Sequence, residues 1–215
     1  MASRGQGEHA GLSRELVLDA AVALVDSGGL DGLSMRKLGA ALGVEAMTVY
    51  HYVPSKAALL EGLVEWVLRH SATNPGATDG LSWDQVLRRY AETLRATLLS
   101  HPGVLPLFFG HPAVTPQGLR TAENGLRVLT DAGFGLRRAL DMLNVLSIFV
   151  VGHTMAEVAN AELGQRADLG PAAASAQLGA GDLPLVIEAA RLGRDPGDRN
   201  RFQFGLDALL AGFAR

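Results

Sequence analysis

Cysteine is absent from the 215 residues, which excludes disulfide frameworks, thiolate zinc sites and thiol redox chemistry. Lysine is nearly absent too: Lys37 and Lys56 are the two in the chain. Neither charge sign dominates, since 19 Lys and Arg face 22 Asp and Glu for a net charge of −3. The global basic signature of a nucleic-acid binder is therefore missing, and any such footprint has to be local. Aromatic residues make up only 6% of the chain, yet Tyr50 and Tyr52 both lie between the two lysines. The longest apolar stretch, Val145 to Gly152, is interrupted by Ser147 and far short of a bilayer span. Met1 to His9 lacks the apolar core of a secretion signal. The expectation is a soluble, cytoplasmic protein with no membrane partner. No segment alternates as a strand does, and no His-Glu-x-x-His, Gly-x-Ser-x-Gly or phosphate-cradling glycine loop occurs. Neither an enzyme nor a cofactor is expected. The length allows one large or two small domains with a well-buried core.

The stretch 34–56, which holds both lysines, reads as two short helices about a tight turn. Ser34 has the side chain to cap a helix through Met35, Leu38 and Leu42, apolar at one helical face. Gly43 stands where the chain must reverse, because a residue without Cβ enters the left-handed conformation that ends a helix. A second helix of about two turns follows, from Glu45 to Tyr52, with Val44 and Val49 set to pack back on Leu38 and Leu42. So short a helix does not persist alone, and neighbours must hold it. Its other face carries Thr48, Tyr50, His51 and Tyr52, with hydroxyls and rings but no carboxylate, which suits phosphates and base edges. Pro54 stops it. Ser55 then caps a helix at Lys56, placing an ammonium and free N–H groups together as phosphates require. Arg36 beside Lys37 completes a small, focused basic footprint. The arrangement is a helix-turn-helix, and double-stranded DNA is the expected partner.

Helical patterns fill the remainder, and the expected fold is all-α: an N-terminal three-helix helix-turn-helix domain followed by a second helical domain. Leu16, Ala20 and Leu24 define the apolar face of a first helix from Leu12 to Ser27, capped by Ser13 and stopped by Gly28 and Gly29. From Ser55 a helix runs to about His70, and the turn-rich segment 73–80 breaks it. Ser82 to Ser100 is amphipathic, Pro102, Pro106, Pro112 and Pro116 chop the next region, and Thr115 to Ala132 resumes a helix closed by Gly133. Leu136 to about Ala161 is apolar on most sides, which argues for burial on more than one face. Residues 164–183 read as a loop, 184–192 as a short helix, and Arg199–Phe213 as the terminal one. The organisation expected is a flexible arm over 1–12, a DNA-binding domain over 13–72 and a further helical domain over 81–215. The helix from Leu136 and the terminal helix carry more apolar surface than one copy covers, so a homodimer is expected.

With these motifs in hand, the chain resembles the TetR family of transcriptional regulators over essentially its whole length, and within it the tetracycline-repressor branch. Leu33-Ser-Met-Arg-Lys-Leu, Leu42-Gly-Val-Glu, Thr48-Val-Tyr and Lys56-Ala-Ala-Leu-Leu carry the N-terminal likeness. Ser82-Trp83, Leu98-Leu99, Gly133-Phe134-Gly-Leu-Arg137 and Phe204-Gly-Leu206 carry the C-terminal one. The resemblance implies a ligand-responsive repressor that binds a palindromic operator as a homodimer, pairs its last long helices as a four-helix bundle, and holds an effector in each C-terminal module, which makes 81–215 the ligand-binding and dimerisation domain. It implies that Arg36 reads guanine in bidentate fashion, with Lys37 beside it, and that Thr48, Tyr50 and Lys56 hold phosphates, with Tyr52 as a further backbone contact. Ala46 and Met47 stand where tetracycline repressors present Gln-Pro. They offer an apolar contact to a thymine methyl instead, so the operator should differ.

The effector side departs further. Relatives hold tetracycline as a magnesium chelate through a histidine, a glutamate and polar Asn and Gln contacts. Aligned with them, this chain has Phe108 or Phe109, Ala156, Tyr90 and Gly125. No metal site is expected; a shifted one would have to be built from His101, His111 or Glu157. The candidate pocket residues are Trp66, Tyr90, Leu94, Phe108, Phe109, Asn124, Asn144 and His153, and the effector expected is an apolar or aromatic organic molecule. The alternative is a helical small-molecule or partner-binding protein with a weakened helix-turn-helix, for which Ala46 and the acidic net charge speak.

Overall fold

Among the residues that the computed structural model describes, 11–72, 80–110, 115–164, 184–186, 188 and 198–214, every regular element is helical. In order these are α1 (Arg14–Gly28), α2 (Met35–Leu42), α3 (Ala46–Tyr50), α4 (Lys56–His70), α5 (Trp83–Ser100), α6 (Leu107–Gly110), α7 (Pro116–Asp131), α8 (Leu136–Gly164) and α9 (Asp198–Phe213), with 3-10 turns at Leu30–Gly32 and Pro102–Val104. Residues 1–10 of the expected arm over 1–12, nearly all of the loop 164–183 and most of the helix 184–192 lie outside the described residues; 184–186 and 188 are helical. Hydroxyls set the helix starts. Ser13, Ser34, Ser55 and Thr115 accept from the N–H three residues on, at 3.0–3.2 Å, each contributing about 1 kcal/mol.

The helices gather into two compact units, 1–72 with 100–123, and 73–99 with 124–215. Within the first unit the segment 100–123 packs with the N-terminal helices. His101 Nδ1 lies 2.8 Å from the Asp26 carboxylate. Gly103 sits so close to α1 that a Cβ there would meet the Val25 carbonyl oxygen at 2.9 Å. Val104, Leu105 and Leu107 are buried. A proline-chopped stretch reads locally as a loop, and these contacts to α1 are non-local.

In the first unit α1 buries Val17, Leu18, Ala21, Val22 and Val25, whereas Leu16 stays exposed. The face expected from Leu16, Ala20 and Leu24 is thus one residue out of register. The helix is apolar around most of its circumference, so spacing permits two faces and the partner chooses. That partner is α4, whose Gly62 brings the helices together: a Cβ at this position would lie 2.6 Å from Leu18 Cδ2. In the second unit α5 buries Leu87, Ala91, Leu94 and Leu98, α8 buries Ala139, Met142, Leu146, Val150 and Val151, and α9 buries Phe202, Leu206 and Leu210. Gly205 lets α9 close on the Phe149 ring. By length and composition α8 is apolar enough to cross a membrane, with mean hydropathy 1.5 within Leu136–Ala161, a longer apolar run than Val145 to Gly152 implied. One side of it is core, and it also holds Glu157 in an ion pair with Arg95.

Candidate functional site

The helix-turn-helix is built around two glycines. Gly43 closes α2 in the left-handed conformation, φ 69° and ψ 25°, with its N–H directed at the carbonyls of Gly39 and Ala40. Val44 N–H donates to Gly39 O at 2.9 Å, so the turn satisfies the carbonyls that the helix end exposes. Gly39 is the second: a Cβ there would come within 2.8 Å of Val44 O and 3.1 Å of Ala46 N. It is the point at which α2 and the start of α3 touch. Sequence reasoning passed over it, although a glycine inside a helical pattern is itself a signal of close packing. Val49 and Leu38 are fully buried and lock the short helix, while Leu42 and Val44 are only half-buried. α3 proper spans Ala46–Tyr50, shorter than Glu45 to Tyr52, and Val53 N–H still donates to Val49 O at 3.1 Å.

This packing leaves one side free. Arg36, Lys37, Met47, Tyr50, His51 and Lys56 are exposed, and Ala46, Thr48 and Tyr52 are half-buried. Met47 is 68% exposed, a large apolar side chain left open on the short helix. Among the described residues Arg36, Lys37 and Lys56 form no ion pair, so their charges are uncommitted. At the start of α4 the Ser55 hydroxyl takes the Ala58 N–H. Beside Tyr52, Arg14, Glu61, Glu65 and Thr115 line a cleft of about 180 Å³, below the roughly 300 Å³ of a small-molecule site.

The candidate effector residues are divided between the two units. In the first unit Trp66 is structural in its contacts: its indole N–H donates to Asp19 at 2.6 Å, its ring stacks on His70 at 3.8 Å, and His101 meets it edge-on at 4.9 Å. Phe108 is half-buried in α6; the Phe109 side chain and His111 lie outside the described residues. In the second unit Leu94 is buried, and Tyr90 and His153 are half-buried. Burial pushes the Tyr90 hydroxyl up to about 12, so it is neutral and available as a donor at ordinary pH. Asn124 and Asn144 are exposed, not interior: an apolar helix pattern with one polar position does not say which side that position faces.

Around His153 the structure assembles Phe149, Phe202 and Arg95, which the sequence did not single out, together with Glu157. Phe149 and Phe202 stack at 5.4 Å, and His153 stands edge-on to Phe202 at 5.4 Å with its Nδ1 buried and without a hydrogen bond. Arg95 lies 4.9 Å over the Phe202 ring and grips both oxygens of Glu157, at 2.9 and 2.6 Å. Glu157, a residue from which a shifted metal site would be built, is therefore neutralised by arginine, and His101 is engaged by Asp26. Among the described residues no three His, Asp or Glu come together as a metal would need. Arg95 left no sequence signal, because its partner is 62 residues away.

Residues 17–63 match the family of bacterial regulatory proteins of the tetR type, and residues 74–215 match the tetracyclin repressor-like C-terminal domain. The chain is 33% identical over 203 residues to the tetracycline repressor protein class E of Escherichia coli, covering 94% of this chain and 91% of that protein. A possible TetR family transcriptional regulator from Streptomyces coelicolor A3(2) has the same fold at a TM-score of 0.79 and 33% identity, over 94% of this chain and 98% of that one. A TetR variant from Acinetobacter baumannii AYE aligns at 0.69 and 28% identity, over 95% and 97%. Such relatives regulate transcription and are not enzymes. On these matches, which span both the reading head and the C-terminal helices, the chain belongs to the TetR family of transcriptional regulators.

Proposed function

We propose that the protein is a cytoplasmic, ligand-responsive repressor that binds a palindromic operator as a homodimer and leaves it when a small organic effector binds. The observation that carries the reading is the free face of the helix-turn-helix, with Arg36, Lys37, Met47, Tyr50 and Lys56 exposed on a scaffold pinned at Gly39 and Gly43. Residues 13–72 are the DNA-binding domain in this reading and 81–215 the ligand-binding and dimerisation domain. Arg36 reads a guanine, Ala46 and Met47 meet a thymine methyl, and Thr48, Tyr50, Tyr52 and Lys56 hold the backbone. One such short helix reads too few base pairs to be selective. Two copies related by a two-fold axis would read half-sites about 34–36 Å apart. The exposed apolar residues of α8 and α9, among them Leu140, Ile148 at 71% and Phe204 at 78%, support pairing through that face.

The Acinetobacter baumannii TetR variant is a complex with minocycline. In this chain Ala156 replaces a carboxylate, and Glu157 is committed to Arg95, so the effector is an aromatic or apolar molecule held without a metal, near Tyr90, Leu94 and His153. To release DNA it must bind the non-binding conformation more tightly. The test is a gel shift on the protein's own upstream intergenic DNA, then titration with tetracycline and magnesium, with and without chelator, and with polycyclic aromatic compounds. A shifted, palindrome-containing fragment released by an aromatic compound in chelator is the expected result. Metal-dependent release by micromolar tetracycline, or no specific shift, would overturn it.

A further inference from the structure

Asn144 stands within the exposed apolar stripe of α8. Leu140 precedes it by one turn, Ile148 follows by one turn and Val145 lies beside it, all three exposed. Its own side chain is exposed and makes no hydrogen bond among the described residues. While water solvates the amide, this placement costs little. Once another surface covers the stripe the water is lost, and an unpaired buried amide costs about 1–3 kcal/mol, whereas an apolar side chain would only gain. The covering surface must return a hydrogen bond.

A second copy of this chain is the occupant that fits. Each copy carries one short reading helix and needs a symmetric mate to read a full site. The stripe is flanked by one charge of each sign, Arg137 and Asp141, exposed and 3.6 Å apart, so the face is self-complementary rather than tuned to a partner of one sign. In an isologous interface a residue near the two-fold axis meets its own copy, and an amide, both donor and acceptor, is complementary to another amide. We propose that Asn144 pairs with Asn144 of the partner subunit across the axis, fixing the register of the two α8 helices and confining the chain to pairing with itself. A single buried Asn sets register and oligomer state in coiled coils by the same physics. A related helical subunit with an apolar residue here leaves the amide unpaired and is disfavoured. The inference rests on the dimer reading above.

Charge replacement tests it. Asn144→Asp and Asn144→Lys both alter an exposed side chain of the single chain, so the helical circular dichroism should be unchanged. Each variant alone sets like charges across the axis, and its dimer dissociation constant by sedimentation should rise about tenfold or more. Mixed in equal amounts, the two should form the Asp–Lys heterodimer well above the statistical half, by native mass spectrometry. Ile148→Glu, measured in parallel, tests the dimer face alone. If Ile148→Glu dissociates the dimer while the Asp and Lys variants keep the unaltered dissociation constant and mix statistically, the Asn144 pair is wrong and the dimer face stands. If Ile148→Glu stays fully dimeric, both fail.

Discussion

Arg95 and Glu157 form the pair in the second unit whose single disruption should cost most. The guanidinium meets both carboxylate oxygens, the side chains are 12% and 16% exposed, and the Phe202 ring closes the cation from one side. Arg95→Met would leave a carboxylate with little water and His153 Nδ1 at 3.9 Å as its nearest polar relief. Breaking a fully buried pair costs about 3–5 kcal/mol; the remaining exposure here lets some solvent in, so we expect about 2–4 kcal/mol. For a protein of this size that is a fall in Tm of about 4–16 °C. Urea unfolding of Arg95→Met, Glu157→Leu and the double variant measures it. The double variant should recover to within about 1 kcal/mol of the parent, because an apolar pair of similar volume tolerates the site. A single variant that costs under about 1 kcal/mol, or a double equal to the sum of the singles, would refute the picture of a committed Glu157. The claim that the effector is held without a metal would lose its structural support with it.

Further tests address the reading head and the interior. Arg36→Ala should cost about 1–3 kcal/mol on the preferred operator and relax preference at one base pair, while Lys56→Ala should weaken all sequences alike and flatten the salt slope by about one unit; quantitative gel shifts at several salt concentrations separate the two. Gly39→Val should abolish operator binding while the C-terminal helices keep their circular dichroism, since a branched side chain cannot fit 2.8 Å from Val44 O; an unchanged operator affinity would show that the turn is more compliant than drawn. Tyr90 ionises near 10 when free and near 12 in the folded protein, so above about pH 10 the unfolded chain loses a proton that the folded one keeps. Stability should fall by roughly 2–3 kcal/mol between pH 10 and 12 through this group, and not below that range; unfolding of Tyr90→Phe across the same window should lack that component.

The reading head was legible because its physics is local. Ser34, Gly43, Pro54 and Ser55 act on their own turn of chain, so cap, reversal and stop could be placed residue by residue, and the structure has the caps at Ser34 and Ser55 within hydrogen-bond distance. What local reasoning could not supply was the identity of the touching surfaces. Leu16 and Val17 are equally apolar, and non-local packing decides that Val17 goes inside while Leu16 stays exposed, on a helix that meets α2, α4 and the turn at Pro102–Val104. Gly39 shows the same limit from the other side, since its role exists only in the geometry of the next helix. The segment from His101 to Leu107 carries no periodicity to announce its seat on α1; Asp26, Val25 and Trp66 receive it.

The candidate effector residues differ in burial for a related reason. Polar residues in apolar helices drew attention as pocket groups, and Asn124, Asn144 and His153 satisfy that description equally in the sequence. α8 has apolar residues on two sides, with Ala139, Met142, Leu146 and Val150 buried within the unit and Leu136, Leu140, Val145 and Ile148 exposed. Hydropathy counts both alike, which is also why the helix passes for a membrane span. The distinction lies in what each side meets. His153 is set among Phe149, Phe202 and Glu157, where a polar atom without a partner is costly and a bound molecule can relieve it. Asn144 is exposed in the single chain, and its cost would arise when a second surface covered it. In the proposed reading a polar position in such a helix marks a ligand on the inner side and a subunit on the outer one, and burial in the isolated chain is the measurement that tells them apart.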